Sequence, residues 1–366
     1  MTHAVADSDL IRVLERWPKF AEGYWWDDPA RPDVGCFGTG YNSWGVQTNQ
    51  KFLAAMAVLA AHPGFDEQAA GVSRERVLEL ALRALRYSLA SHVSGDHHCS
   101  DGTRWGHTWI SALGVERMMH GVGAIAEQMT EADHTALRRM LTSEADALLE
   151  LEVTATKWAA DRGNRPESNI WNGALLYRTC MMYPDEPGVE GWLEKAHRFL
   201  VNGISIEADA HDETMVAGHP VGYWHIGPNF FEHYALDHHG YLNVGYMVIC
   251  LSNIAMLHFA CREQGWEAPD DLYWHARELW ELVKLLVFED GRLLRIGGDT
   301  RQRYCYCQDY LLPALVWCAD FLGDPHAAEL EAGCVELIRT DQAASDDGSF
   351  MSRRLDTMRR GNPYYY

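Results

Sequence analysis

Two kinds of hydrophobic pattern alternate along the chain. In the first, apolar residues recur every three to four positions opposite a charged face. Val77, Leu78, Ala81, Leu82, Leu85 and Leu89 oppose Arg74, Glu75, Glu79 and Arg83, and Leu137, Leu141, Ala145 and Leu148 repeat the spacing. The latter stretch is entered through Thr130 with Asp133 three residues on, an N-cap pair. Residues 192–200, 272–286 and 328–338 are amphipathic in the same way. In the second kind, residues 46–59, 110–126, 170–182, 246–261 and 310–322 are apolar nearly all round. A helix apolar on every face belongs in the middle of a protein, and one with a polar face at its rim. Strand signals are sparse. The alternation predicts an all-α fold, an (α/α) toroid of about five to six helical hairpins with an inner and an outer ring, plus a first helix near residues 9–20. A stacked solenoid would need a repeat of fixed length, and no motif recurs at one period. The toroid is expected over residues 1–345. The tail, 346–366, with its Arg353-Arg354 and Arg359-Arg360 pairs, reads as the start of a further β domain.

Each predicted inner helix opens with a cluster of polar and aromatic residues. In chain order these hold Tyr41, Asn42, Trp44, Gln47 and Asn49; then Arg104, Trp105, His107 and Trp109; then Glu167, Asn169, Trp171 and Asn172. The fourth has His233, Tyr234, Asp237, His238, His239, Tyr241, Asn243 and Tyr246, and the fifth Asp299, Arg301, Arg303, Tyr304, Gln308 and Asp309. Inner helices of a toroid run parallel, so their N-termini and these clusters are expected around one cleft. Helix N-termini also offer unpaired N–H groups and partial positive charge to an anion. The stretch 203–240, rich in His, Gly, Pro and aromatics, is too long for a plain connection and is expected to be functional.

The formal charge of −21 removes nucleic acid as a partner, since such binders carry a basic stripe. An acidic ligand then has to meet positive charge confined to the cleft. No membrane partner is expected, because the sequence holds no uninterrupted uncharged apolar run of spanning length. No basic segment followed by an apolar run opens the chain, so the expected location is the cytoplasm. Nine scattered cysteines fit reduced thiols better than a disulfide framework. His97, His98 and Cys99 are adjacent and cannot all reach one ion, and His211, Asp212 and His219 follow no ligand spacing. No metal or cofactor is therefore predicted.

Fourteen tryptophans and sixteen tyrosines change the picture, because several fall in the clusters. Flat aromatic faces beside Asn, Gln, Arg and His suit sugar rings and their hydroxyls. Trp44, Gln47, Asn49, Trp105, His107, Trp171, Trp224, Asn243, Arg303 and Tyr304 are the candidate substrate contacts; the plainer alternative is that the tryptophans fill the core. Two reactions fit. Hydrolysis needs two carboxyl groups, available among Glu167, Glu232, Asp237, Asp299 and Asp309. β-Elimination from a uronate needs a group to neutralise the substrate carboxylate, a base for the C5 proton and an acid for the leaving oxygen. Asn169 and Asn172, spaced to share a helix face, with Arg301 can neutralise, while His233, His238, His239, Tyr241 and Tyr246 supply base and acid. That inventory favours elimination.

The Glu167–Asn172 segment, the His/Tyr-rich stretch 227–246 and the helical-hairpin plan resemble toroid polysaccharide lyases of the heparinase II/III and alginate-lyase type. The resemblance implies an Asn neutraliser at Asn169 or Asn172, a histidine at His233, His238 or His239, and a tyrosine at Tyr241 or Tyr246. It implies an acidic oligo- or polysaccharide substrate. Those lyases normally add a C-terminal β-sandwich; this sequence departs from that pattern, and the domain is expected to be absent or removed beyond the tail 346–366. A glycoside hydrolase on the same toroid and a non-catalytic glycan-binding toroid are the competing expectations.

Overall fold

The computed structural model describes residues 5–155, 164–294 and 307–350. In chain order its helices are α1 (Asp7–Glu15), α2 (Pro18–Ala21), α3 (Trp44–Ala61), α4 (Glu67–Ala70), α5 (Arg74–Ser91), α6 (Ser111–Ala124), α7 (Glu131–Glu150), α8 (Pro166–Met182), α9 (Val189–Val201), α10 (Val221–Trp224), α11 (Val244–Gln264), α12 (Ala276–Val283), α13 (Leu311–Asp320) and α14 (Pro325–Ala343). The strands are short antiparallel pairs: β1 (Trp25–Asp27) with β2 (Gly35–Phe37), β3 (Met215–Val216) with β4 (His219–Pro220), and β5 (Asp237–His238) with β6 (Tyr241–Leu242). The chain is thus mostly helical, and each of the five apolar stretches falls on one helix: α3, α6, α8, α11 and α13. It divides into two compact units. One is Ala6–Ala147 with residues 338–366, here the N-terminal unit, and the other Leu148–Leu337 with Met1–Val5, the central unit.

In the N-terminal unit α3 packs against both α5 and α6. Apolarity on all sides suits it to that place: Val46, Phe52, Leu53, Met56, Ala57 and Leu59 are all fully or nearly fully buried. α5 turns its Val77, Leu80, Ala81, Ala84 and Leu85 face inward and is capped by Ser73 Oγ, which accepts from the Arg76 N–H at 3.2 Å. The predicted start of α7 is a capping box: Thr130 N–H donates to Asp133 Oδ2 at 3.0 Å and Asp133 N–H to Thr130 Oγ1 at 3.2 Å. Arg86 of α5 grips the same carboxylate through Nε at 3.0 Å and Nη2 at 3.1 Å, so one acid both starts α7 and ties it to α5.

α6 meets the α3 backbone closely at Gly121, where a Cβ would stand 2.5 Å from the Ala54 Cα. Gly121→Ala is therefore expected to cost about 1–3 kcal/mol by forcing two backbones apart. Gly191→Ala in α9, whose Cβ would meet only Leu149 Cδ2 at 3.9 Å, should gain roughly 0.5–1 kcal/mol from helix propensity. Thermal melts of the two variants should move in opposite directions.

In the central unit α8 packs on α9 and α11, and α11 on α12 and α13. α11 is long and apolar enough to cross a membrane by length and composition, yet 83% of its apolar window is buried within the protein, as for a core helix. Residues 203–240 hold a 3-10 turn (Glu207–His211), the β3–β4 pair, α10 and the first strand of the β5–β6 hairpin. Beneath them Val201, Val216, Val221 and Trp224 form a small core of their own, which is why so long a connection stays ordered. The eight cysteines among the described residues are all buried.

Candidate functional site

Four asparagines organise one end of the central unit. Asn169, in the first turns of α8, donates from Nδ2 to the carbonyls of Thr154 and Asn202, both at 2.7 Å, and its Oδ1 accepts from the Thr154 N–H at 3.1 Å. Asn229 Nδ2 donates to the same two carbonyls at 2.9 and 2.7 Å. Asn202, the C-cap of α9, donates to the Arg198 and Trp224 carbonyls at 2.8 and 2.9 Å. Asn164 Nδ2 donates to the carbonyls of Asn229 at 2.9 Å and Asp237 at 3.0 Å. All four are buried, so each bond replaces one otherwise made to water.

The network ends on a histidine. Because both Nδ2 protons of Asn164 are committed to carbonyls, its Oδ1 is the atom that faces His238 Nδ1, at 2.9 Å, and accepts its proton. His238 is thereby held with hydrogen on Nδ1, and Nε2 is the basic nitrogen. The ring is 5% exposed and lies 4.2 Å, centroid to centroid, from Tyr246 and 4.1 Å from His239. The backbone supports this placement. His238 ends β5 and pairs with Tyr241 across a two-residue turn whose His239 and Gly240 both have positive φ, 61° and 82°. Asn243 caps α11 by accepting from the Tyr246 N–H at 3.1 Å, and donates to the His238 carbonyl at 3.3 Å. The Asn164–His238 bond thus joins the segment just before α8 to the cluster at the start of α11.

The other predicted residues divide sharply. Asn169 is spent on backbone and acts as a strut; it has no donor left for a ligand. Asn172, one turn on, is only 3% exposed. Asn243 is a helix cap. Tyr241 is half-buried in the hairpin, and His233 is exposed and stacked on Phe231 at 5.7 Å. Trp105, Trp171 and Trp224 correct the expectation of sugar-stacking faces: they are 3%, 3% and 2% exposed and belong to the core. Trp105 and Trp224 have their indole N–H satisfied by the Ser88 and Val216 carbonyls at 2.8 and 2.9 Å. Gln47 and Asn49 are likewise buried struts. Gln47 Nε2 donates to the Ile110 carbonyl at 2.8 Å, and Asn49 bridges the Phe37 N–H, the Ala84 carbonyl and Ser88. Trp44 is half-buried, 6.3 Å from the exposed Trp109. Arg301, Arg303 and Tyr304 lie outside the described residues. Tyr41 and Trp109 are the exposed aromatics of the first two clusters, and outside the clusters Tyr24 and Trp26, with Trp25, line a cavity edged by Gly38, Thr39, Gly45 and Thr48 in the N-terminal unit.

Two further groups of the central unit take residues named in the sequence clusters, Glu167 and Tyr234, into surroundings that the sequence did not show. Glu167, in the first turn of α8, is wholly buried; burial pushes its carboxyl up to about 8, against weaker opposition from a backbone N–H, the Ser168 hydroxyl and Arg165. Its Oε2 has no hydrogen-bond partner among the described residues. Tyr234, His275 and Asp209 form a chain: Asp209 Oδ1 accepts from His275 Nε2 at 2.8 Å, so His275 Nδ1 accepts from the Tyr234 hydroxyl at 3.2 Å. Burial, then nearby Glu278 and Asp209, raise the Tyr234 phenol, which stays protonated and donating. Asp209 and His275 stand outside every sequence cluster and are 66 residues apart, so only the fold relates them.

No family model matches the chain, and neither does any curated protein or solved structure.

Proposed function

We propose that the chain is a carbohydrate-active enzyme with an (α/α) toroid plan that cleaves a uronic-acid-containing glycan by β-elimination. The observation that carries this reading is the Asn164–His238 bond, because it leaves a buried histidine with its basic nitrogen on the side opposite the anchor and a tyrosine ring 4.2 Å away. His238 Nε2 takes the proton from C5 of the uronate. The C4–O bond breaks, and Tyr246 gives its proton to the departing oxygen, leaving a C4–C5 double bond conjugated with the carboxylate. Asn172, buried one helical turn from Asn169, serves the substrate carboxylate as it takes up charge. Arg301 is assigned to the same task on its charge alone.

The test is product analysis on a panel of uronic-acid glycans, followed in the ultraviolet. Elimination creates a conjugated double bond that absorbs, and hydrolysis creates none. Tyr246→Phe should lower kcat by roughly 10²–10⁴-fold, the worth of a placed proton-transfer group, with KM little changed. New reducing ends without a rise in absorbance would sink the lyase reading. One observation gives hydrolysis its specific support: Glu167, held protonated to about pH 8, has the character of a general acid.

A further inference from the structure

We propose that His92, His107 and Glu144 of the N-terminal unit form a binding site for a divalent cation of the zinc class. The three come from separate elements. His92 is the C-cap of α5, His107 lies in the connection before α6, and Glu144 is on α7. One donor atom from each lies within 4.8 Å of the other two. Two imidazole nitrogens and a carboxylate suit zinc and its neighbours, whereas calcium and magnesium require oxygen donors.

The surroundings of these donors are those of a ligand set. Glu144 and His92 are 1% and 0% exposed, so a buried carboxylate faces a buried imidazole, with Glu144 Oε1 2.8 Å from His92 Nε2 and 2.7 Å from the His107 N–H. His92 Nδ1 stands 2.7 Å from Ser94 Oγ and 3.1 Å from the Ser94 N–H. Without metal that N–H donates to Nδ1, and Nε2 carries the proton toward Glu144. With metal the proton moves to Nδ1 and is donated to Ser94 Oγ, the outer-shell bond that orients a ligating histidine, and Nε2 faces the ion. A side chain at Gly106 would stand 2.4 Å from that nitrogen, so glycine keeps the approach to it clear. His107 is exposed, and its ring bonds only Ser143 Oγ, at 2.9 Å, among described side chains. Zinc bonds of about 2.0–2.1 Å set tetrahedral ligands about 3.4 Å apart. The ion closes the set by drawing in His107, the one ligand free to swing, and its fourth position opens to solvent on that side.

The site is independent of the chemistry assigned to the central unit and is tested without activity. The full chain, stripped with chelator and dialysed, is titrated with Zn²⁺ by calorimetry and with Co²⁺ by visible absorbance. One equivalent of each is expected, with Co²⁺ bands of a low-coordinate site that Zn²⁺ abolishes, and a higher melting temperature when loaded. His107→Ala and Glu144→Gln should each weaken binding by more than the roughly 10–100-fold that losing an outer-shell partner costs. Eighteen histidines in the chain make stray binding a real competitor, and the variants decide it. Absence of stoichiometric binding, or affinity unchanged in both variants, would overturn the site. Should Glu144→Gln fail to fold, His107→Ala alone settles the matter, because that side chain is exposed.

Discussion

His238→Ala is expected to lower kcat on the cleaved glycan by roughly 10²–10⁴-fold, the loss that follows removal of a placed general base. The expectation rests on tautomer control. A neutral imidazole shares its proton between two nitrogens, and only the form with hydrogen on Nδ1 has Nε2 available as a base. Asn164 selects that form, since its own two donors are already bound to the Asn229 and Asp237 carbonyls. Asn164→Ala should therefore act through His238 and lower kcat with little change in KM. Nitrogen NMR should show that the ring no longer holds one tautomer, which a merely structural role would not produce. Should His238→Ala, folded by its melting curve, cleave at the wild-type rate, the base lies elsewhere. His275, with Tyr234 and Asp209 in line, is then the next histidine to replace.

What the sequence disclosed was what neighbours in the chain decide. Thr130 and Asp133 announce the start of α7 because both partners of a capping box lie within four residues. The five all-apolar stretches announce the core helices because periodicity is local. The roles of individual polar residues were hidden. Asn169 and Asn172 differ by one helical turn and look equivalent, but Thr154 and Asn202 supply the partners that consume Asn169, and the latter is 33 residues away. Asn164 stands outside every cluster, and its partners are 65 and 73 residues off. The tryptophans misled for a related reason. An indole next to Asn and His in sequence suggests a wet cleft, but Trp105 and Trp224 satisfy their one polar atom on a backbone carbonyl and are then as well buried as leucine. Tyr24, Trp25 and Trp26, of which the first and last are exposed, sat in plain view as a run of aromatics, without the Asn, Gln, His or Arg companions that marked the clusters.

Glu167→Gln is expected to stabilise the protein, and increasingly so as the pH rises from about 4.5 to about 8. The Glu167 carboxyl is wholly buried, and desolvation outweighs its hydrogen bonds and Arg165, so the folded protein keeps this proton up to about pH 8 where the unfolded chain releases it near 4.5. Across that window the folded state binds more protons than the unfolded one. The stability this group contributes is complete below about 4.5 and is lost as the pH rises through about 8. The slope approaches about 1.4 kcal/mol per pH unit. Glutamine keeps the shape and stays neutral, so the variant's melting temperature minus that of the wild type should be smallest near pH 4.5 and grow to pH 8. A difference that stays constant across the range would mean that the carboxyl is not protonated in the folded state. The same variant separates the two chemistries. If His238 removes a carbon-bound proton, Glu167→Gln still releases the unsaturated product at pH 7; if Glu167 is the acid of a hydrolysis, cleavage falls by roughly 10²–10⁴-fold in a protein that has become more stable.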